Sequence, residues 1–581
     1  MLSLRRTYSI LQNMKDTVQN IVNGVVKAMI DKGVWPKFAV PEIEVSYPTE
    51  KEHGHISTNF AMRIAKILKK SPIVIAQEFV DFFQDPKNAA KGDWQRWFEE
   101  VKASAVAPGF INFVFQEPYL LLRLKRIISE GKKFGTSHLG ANKKILIEFI
   151  SANPTGPLTL ANGRGGFCGD TLANALAFTG HTVTREYYLN DVGNQIATLA
   201  ESVTRKYLQL HGITVDFPEG LYQGAYIEDL AAKLDLKITR KKLEEPDAIA
   251  TLAAEIQKPV LDGMVKEITR VIETKMRIHY DEWFRESSLY ADTTPVKFAA
   301  ELVKQGLAYE KDGATWFNTT KYGDDKDRVI LKKDGNQTYF MSDVRYLMKR
   351  LLDQGYDEKI LILGADHHGY VKRQQAIAQA IGRAGKLKIP LMQLVKLVRG
   401  GQEVRMSKRK GNFVEIEEVL DEVGTDVARF FFLMYSNDTH MTFDLDLAKE
   451  QSEKNPVFYI QYAYARIRSI EREMAKRGIG ASDIKADGFT DPAETALLLE
   501  LLKFPEVVTH VAQTFATHKL PLFALDLARQ FHSFYSHCRV IDETKLHGTR
   551  ALLLQGTKQV LESVLGLMGI TAPDKMLKKE E

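Results

Sequence analysis

Two cysteines, Cys168 and Cys538, are all that 581 residues carry. They lie far apart and match no metal-ligand spacing, which excludes a disulfide framework and leaves no protein-bound metal to expect. No apolar run approaches the roughly 18 residues of a membrane-spanning helix, and none opens the chain. The expectation is a cytoplasmic, soluble protein with no membrane partner. Internal repeats and low-complexity tracts are missing as well. Charge of either sign is scarcely in excess, with 79 Lys and Arg against 74 Asp and Glu and a formal net charge of +5. That balance suits a nucleic-acid partner without demanding one. What remains is a globular composition, 44% hydrophobic and 26% charged. The chain is too long for one core and predicts about three or four domains.

Residues 1–125 read as a small α/β unit. "TNFAMRIAKILKK" places Phe60, Ile64 and Leu68 on one helical side, and Gly109 to Phe115 alternates like a strand. From 126 to 445 the pattern changes. "ILIEFI" (Ile145 to Ile150) predicts a buried strand, "GRGGFCGDTLANALAFTG" a helix despite its glycines, and "TVTREYYL" a second strand. Strand, loop, helix, strand opens a parallel nucleotide-binding sheet, whose ligands sit at the carboxyl ends of its strands. A polar segment of helical or mixed character, about 196–290, reads as an insertion, and "KILILGADHHGYVKRQQAIAQAIG" returns to the sheet. Residues 446–581 read as mostly helical, with Val560, Val564 and Leu567 on one stripe.

Two loops carry candidate chemistry. In "SANPTGPLTLANGRGG" (Ser151 to Gly166) a strand ends and a helix begins, so unpaired backbone N–H groups face the turn. Gly163, Gly165 and Gly166 leave room for phosphate or adenine. The stretch is neither the Gly-x-x-x-x-Gly-Lys loop nor the Gly-x-Gly-x-x-Gly fingerprint, and composition alone fits a packed turn equally well. In "VRMSKRKG", Arg405, Lys408, Arg409 and Lys410 crowd around Met406 and Ser407, flanked by Gly400, Gly401 and Gly411. Cations on such a loop can close over a polyphosphate. A solvated basic loop is the other reading.

With these stretches go "REYYLNDVGNQI", "QGAYIEDLA", "QTYFMSDVRY", "ILGADHHGYVKR", "FYIQYAYARI", "LARQFHSFYSHCRV" and "GTKQVLESVLGLMGI". In this order the chain resembles the arginyl-tRNA synthetases of bacterial type, a class I family, over nearly its whole length. The resemblance implies a multidomain α/β plus α fold. Its parts are a small N-terminal domain touching tRNA, a Rossmann-type catalytic domain with an insertion, and a helical anticodon-binding domain. It implies ATP-dependent activation of L-arginine and transfer to the 3′ end of tRNA(Arg), with ATP bringing Mg²⁺ and the protein acting as a monomer. Members generally need bound tRNA even for activation.

Roles follow residue by residue. The resemblance makes Thr159, Asn162, Arg405 and Lys408 catalytic. It places Glu148, Asn153, Tyr339 and Asp343 around arginine, where a planar guanidinium requires carboxylate. It places Ser151, Ala161, Gly163, Asp366, His367, Met406 and Ser407 around ATP or the adenylate, and Phe534, Tyr535 and Arg539 against tRNA. One departure stands out. The usual His-x-Gly-His is Thr159-Leu160-Ala161-Asn162 here, without a histidine. A competent enzyme is the main expectation, since phosphoryl chemistry rests on positioning and electrostatics. A tRNA-binding protein without activity and a class I enzyme of another specificity are the alternatives.

Overall fold

The computed structural model describes residues 13–88, 93–236, 247–404, 414–543 and 545–576. Near the N-terminus, four strands pair antiparallel in the order β1-β2-β4-β3: β1 (Val45–Ser46), β2 (Ile56–Thr58), β3 (Val101–Val106) and β4 (Phe110–Phe115). The helix Met14–Asp31 packs on them through Val18, Ile21, Val22, Val25 and Met29, a 3.6-residue rhythm. Its start is closed by Asn13, whose side chain accepts the Asp16 N–H at 2.8 Å.

The middle of the chain is organised by a five-stranded parallel sheet. Its strands are β5 (Lys144–Glu148), β6 (Thr182–Leu189), β7 (Glu282–Arg285), β8 (Glu358–Leu361) and β9 (Leu387–Lys388), in the order β9-β8-β5-β6-β7. β5 is buried from Ile145 to Glu148 because both faces are covered, which is why it reads as a continuous apolar run. Helix α1 (Leu160–Phe178) carries the chain from β5 to β6. The order reverses between β5 and β8, and such a switch point opens a ligand crevice at the carboxyl edge. Helix α2 (Ala248–Arg270) lies in the stretch read as an insertion. That stretch ends inside the sheet: β7 pairs parallel with β6 from Glu186↔Glu282 to Leu189↔Arg285. Only Phe284 of β7 is buried, so no apolar run betrayed the strand.

Helix α3 (Tyr339–Met348) precedes β8. Beyond the sheet, β10 (Val395–Arg399) pairs parallel with β11 (Met441–Asp444). Helices α4 (Ile416–Val423) and α5 (Thr425–Leu433) lie between them in sequence. The C-terminal part is helical, including α6 (Pro456–Lys476), α7 (Lys519–His537) and α8 (Gly548–Leu567). Arg429, fully buried on α5, joins the two parts. It pairs with Asp170 of α1 at 2.8 Å and donates to the carbonyls of Met276 and Arg277, and to that of Met568 at 3.0 Å. Gly569 must be glycine, because a β-carbon there would meet Arg429 Nη1 at 2.3 Å. Among the described residues no helix is long and apolar enough to cross a membrane, and no group of three or more His, Cys, Asp or Glu is arranged to hold a metal. Both cysteines are free and buried.

Candidate active site

The crevice begins where β5 ends. Ile150 and Ser151 take φ of +66° and +37°, and the Ser151 N–H returns to the Phe149 carbonyl at 2.9 Å. A β-branched residue in that region is strained, and strain of this kind persists only where neighbours enforce it. Here tyrosines enforce it. Tyr280 donates to the Phe149 carbonyl at 2.8 Å, Tyr187 to Ala152 at 2.8 Å and Tyr226 to Thr155 at 2.9 Å. Ser151 Oγ accepts the Tyr188 N–H at 3.0 Å, and Asn153 is exposed at the bend.

The turn then enters α1. The backbone N–H and the hydroxyl of Thr159 both donate to Asn162 Oδ1, at 2.8 and 2.9 Å. This fixes the amide: the oxygen faces Thr159, and among the described residues Nδ2 has no partner. The Thr159 proton is therefore committed to Asn162, and Thr159 works here as a cap that orients its neighbour. Ala161 is exposed beside it. Gly163 serves a different purpose from the cradle expected. It is buried, and a β-carbon there would meet Ile416 Cδ1 at 2.5 Å, so its bareness lets α1 pack on α4. The expected result for Thr159→Ala is a loss of about 1 kcal/mol of stability, with Thr159→Ser near wild type; thermal unfolding of the two variants checks it.

The segment that follows the second loop reaches the same place. Arg405, Met406, Ser407 and Lys408 lie outside the described residues. Just past them, Leu160 N–H donates to the Val414 carbonyl at 3.0 Å and Ile416 N–H to the Leu158 carbonyl at 2.9 Å. Thr159 and Glu415 thus form an antiparallel bridge. The chain leaving the basic loop is stitched to the start of α1.

Carboxylates gather along the same edge of the sheet. Asp343, partly buried on α3, accepts a short hydrogen bond from the Tyr370 hydroxyl. Burial pushes its pKa up to about 7; hydrogen bonds from Tyr370 and Gln374 oppose the rise, and the charges of Glu286 and Glu148 add to it. Glu286, just beyond β7, is buried and likewise raised by burial. Glu148 is compensated. It accepts from Lys359 at 2.5 Å and from Tyr346 at 2.9 Å, in a buried network with Glu186, Arg350 and Glu282. Tyr339 stands one turn from Asp343 but is 66% exposed, its hydroxyl over Gly193. Asp343 is inside and Tyr339 at the rim. Asp366 and His367 form an exposed turn after β8, their side chains 3.6 Å apart. Glu286 and Tyr370 were not singled out from the sequence. The only signal for Glu286 was its place right after a strand that itself gave no pattern.

On the helical part, Phe534 corrects an expectation. It is fully buried, because Phe531 and Phe534 share the inner stripe of α7. Tyr535 is 39% exposed and lies against Arg466, whose guanidinium carbon is 4.3 Å from the ring centre. Arg466 also covers Tyr462 at 4.5 Å, and His532 stacks on Tyr462. Arg539 is exposed. The surface cluster therefore spans α6 and α7, and its α6 members were missed.

Comparison with known proteins gives three family matches. Residues 123–446 match "tRNA synthetases class I (R), catalytic domain". Residues 12–115 match "Arginyl tRNA synthetase N terminal domain" and residues 460–576 "DALR anticodon binding domain". The arginine–tRNA ligase of Syntrophotalea carbinolica is 40% identical over 570 residues, covering 97% of this chain and 100% of the relative. That of Symbiobacterium thermophilum is 40% identical over 572 residues, covering 98% and 100%. Among solved structures, a putative arginyl-tRNA synthetase from Campylobacter jejuni superposes with a TM-score of 0.71 at 32% identity, covering 80% of this chain and all of that one. The Thermus thermophilus arginyl-tRNA synthetase has a TM-score of 0.68 over 97% of this chain and 100% of that one, and at 20% identity it speaks for the fold.

Proposed function

The chain belongs to the class I arginyl-tRNA synthetases, and we propose that its arginine specificity rests on the surplus of carboxylate around Asp343. The reaction is activation of arginine by ATP and transfer to tRNA(Arg). The arginine carboxylate attacks the α-phosphorus, and pyrophosphate leaves. The terminal ribose hydroxyl of tRNA then attacks the arginyl carbonyl, and AMP leaves. Mg²⁺ arrives as part of the nucleotide substrate.

The carrying observation is the gathering of Asp343, Glu286 and Glu148 at one edge of the sheet, a crowding that goes with the raised pKa of Asp343. Lys359 compensates Glu148, while Glu286 and Asp343 face one another's charge. The missing cation comes from the ligand: the guanidinium meets Asp343, with Glu286 behind it. Tyr339 closes over it from the rim, and Asn153 and Ser151 lie toward the reacting carboxylate. Glu148 acts through its network rather than as a free acid. On the nucleotide side, ATP spans the start of α1, with Asn162 Nδ2 toward phosphate, Ala161 toward adenine and Asp366 and His367 at the mouth. Arg405 and Lys408 supply positive charge to the polyphosphate, and Met406 and Ser407 belong with the ATP or adenylate. Like charges repel acidic amino acids from this pocket, which disfavours glutamate specificity.

The sign of the pH dependence follows. Asp343 must be ionised to pair with guanidinium, and in the free enzyme it holds its proton until about pH 7. Each unit below 7 therefore raises the KM for arginine by up to about tenfold, and above 7 the dependence flattens. Aminoacylation of tRNA(Arg) with arginine varied between pH 5.5 and 8.5 tests this. A flat profile through pH 7 removes Asp343 from the pocket.

For tRNA we propose the Tyr462, Arg466, His532, Tyr535 and Arg539 face, where rings can stack on unpaired bases and cations meet phosphate. Phe534, in the core of the helical part, has no share in that face. Domain limits of 1–125, 126–445 and 446–581, and a monomer, complete the reading.

A further inference from the structure

At the end of α2 the chain passes through a π-turn, Val271–Lys275, and runs along α4 and α5. Here it is fastened repeatedly. Arg270 Nη2 donates to both carboxylate oxygens of Glu417, at 2.8 and 2.7 Å. Lys275 lies 3.7 Å from Glu417 and pairs with Asp421, and Arg277 pairs with Asp426. Thr425 Oγ1 donates to the Lys275 carbonyl at 2.7 Å. Under the Arg270–Glu417 contact is a cavity of about 160 Å³, with Leu158, Tyr226, Met264, Ile268 and Glu415 in its wall. These charged pairs lie at the partly exposed rim of the joint, above buried Val271, Ile272 and Met276 on one side and Ile416, Val419 and Leu420 on the other.

Glu417 sits in the first turn of α4, two residues past the bridge between Glu415 and Thr159. We infer that Arg270, acting through Glu417, is a positioning residue for adenylate formation: it holds the start of α4, and the paired backbone at 414–416 carries that position to Thr159 and Asn162. The inference rests on the reading of 159–162 as part of the phosphate site. The pair is partly exposed, so it contributes little to global stability. Its effect falls on placement, to which transition-state contacts are far more sensitive.

The test measures ATP–pyrophosphate exchange with tRNA(Arg) present in Arg270→Met, Glu417→Gln, their double variant and Arg270→Lys, beside thermal unfolding. Each single change is expected to lower kcat about fivefold, with KM for arginine and ATP within about twofold. The double variant should be no slower than either single one, and Arg270→Lys should recover most of the rate. Wild-type kcat, additive losses, a loss confined to KM, or a loss that tracks early unfolding without rescue by lysine each overturn the inference. Asn162→Ala in the same assay separates the two claims. If it is slow while Arg270→Met is normal, the positioning role alone falls; if it runs at the wild-type rate, the reading of the phosphate site falls.

Discussion

Asp343→Asn lowers kcat/KM for arginine by roughly 30- to 150-fold, with the larger part in KM. The substitution keeps size and keeps an oxygen to accept from Tyr370, so the pocket retains its shape. It removes the ionic half of the contact with guanidinium. Losing one partner of a desolvated charged pair costs about 2–5 kcal/mol. The lower part of that range applies here, because the carboxylate holds a proton until about pH 7 and ionising it already costs the free enzyme something. The same reasoning fixes the stability. A carboxylate with a raised pKa binds more protons folded than unfolded, so it destabilises the free protein as pH rises from the ordinary carboxylate range toward 7. At pH 8 Asp343→Asn should therefore melt no lower than the parent. Arginine titrations of aminoacylation at fixed ATP and tRNA, beside melting curves, decide the matter. An unchanged arginine dependence would falsify the assignment.

Where the sequence was readable, one residue pattern had one physical cause. β5 was visible because a strand covered on both faces must be apolar throughout, and the turn after it because Pro154, Gly156 and Pro157 forbid regular structure. Tyr339 and Asp343 were correctly paired on one helix, but spacing says nothing of depth. One is at the rim and the other inside because α3 runs inward from its start. β7 hid because a four-residue edge strand with one buried side chain looks like a loop. Glu286 hid with it, since its nearness to Asp343 arises only once β7 has joined the sheet beside β6. Phe534 misled for a different reason. Aromatics mixed with cations mark a helix that meets RNA, but the phase of that helix decides which rings are core, and interleaving does not reveal phase. Gly163 was read as open space for a ligand, when its neighbour is Ile416 from a segment 253 positions later.

The missing histidines bear on the last expected result, which is that Asn162→Ala slows adenylate formation about a hundredfold, equivalent to about 3 kcal/mol for one well-aimed donor. With Asn162 in place Thr159 does not share the role, because its hydroxyl donates to Asn162 itself. The alanine variant alone is ambiguous: it removes Nδ2, and it also removes the oxygen that accepts two hydrogen bonds at the helix start. Asn162→Asp separates these effects. It keeps an oxygen for Thr159 and adds negative charge to a helix N-terminus, which favours the fold. It also replaces the donor by an anion that faces the polyphosphate. If the amide serves only to cap α1, the aspartate variant melts at or above the parent temperature and turns over normally. If Nδ2 meets the phosphates, it is stable and at least as slow as the alanine variant. Pyrophosphate release at saturating arginine and tRNA, measured on both, chooses between the two. A stable, slow aspartate variant would mean that one neutral amide, held by its own cap, does part of what a histidine does in relatives with the usual signature.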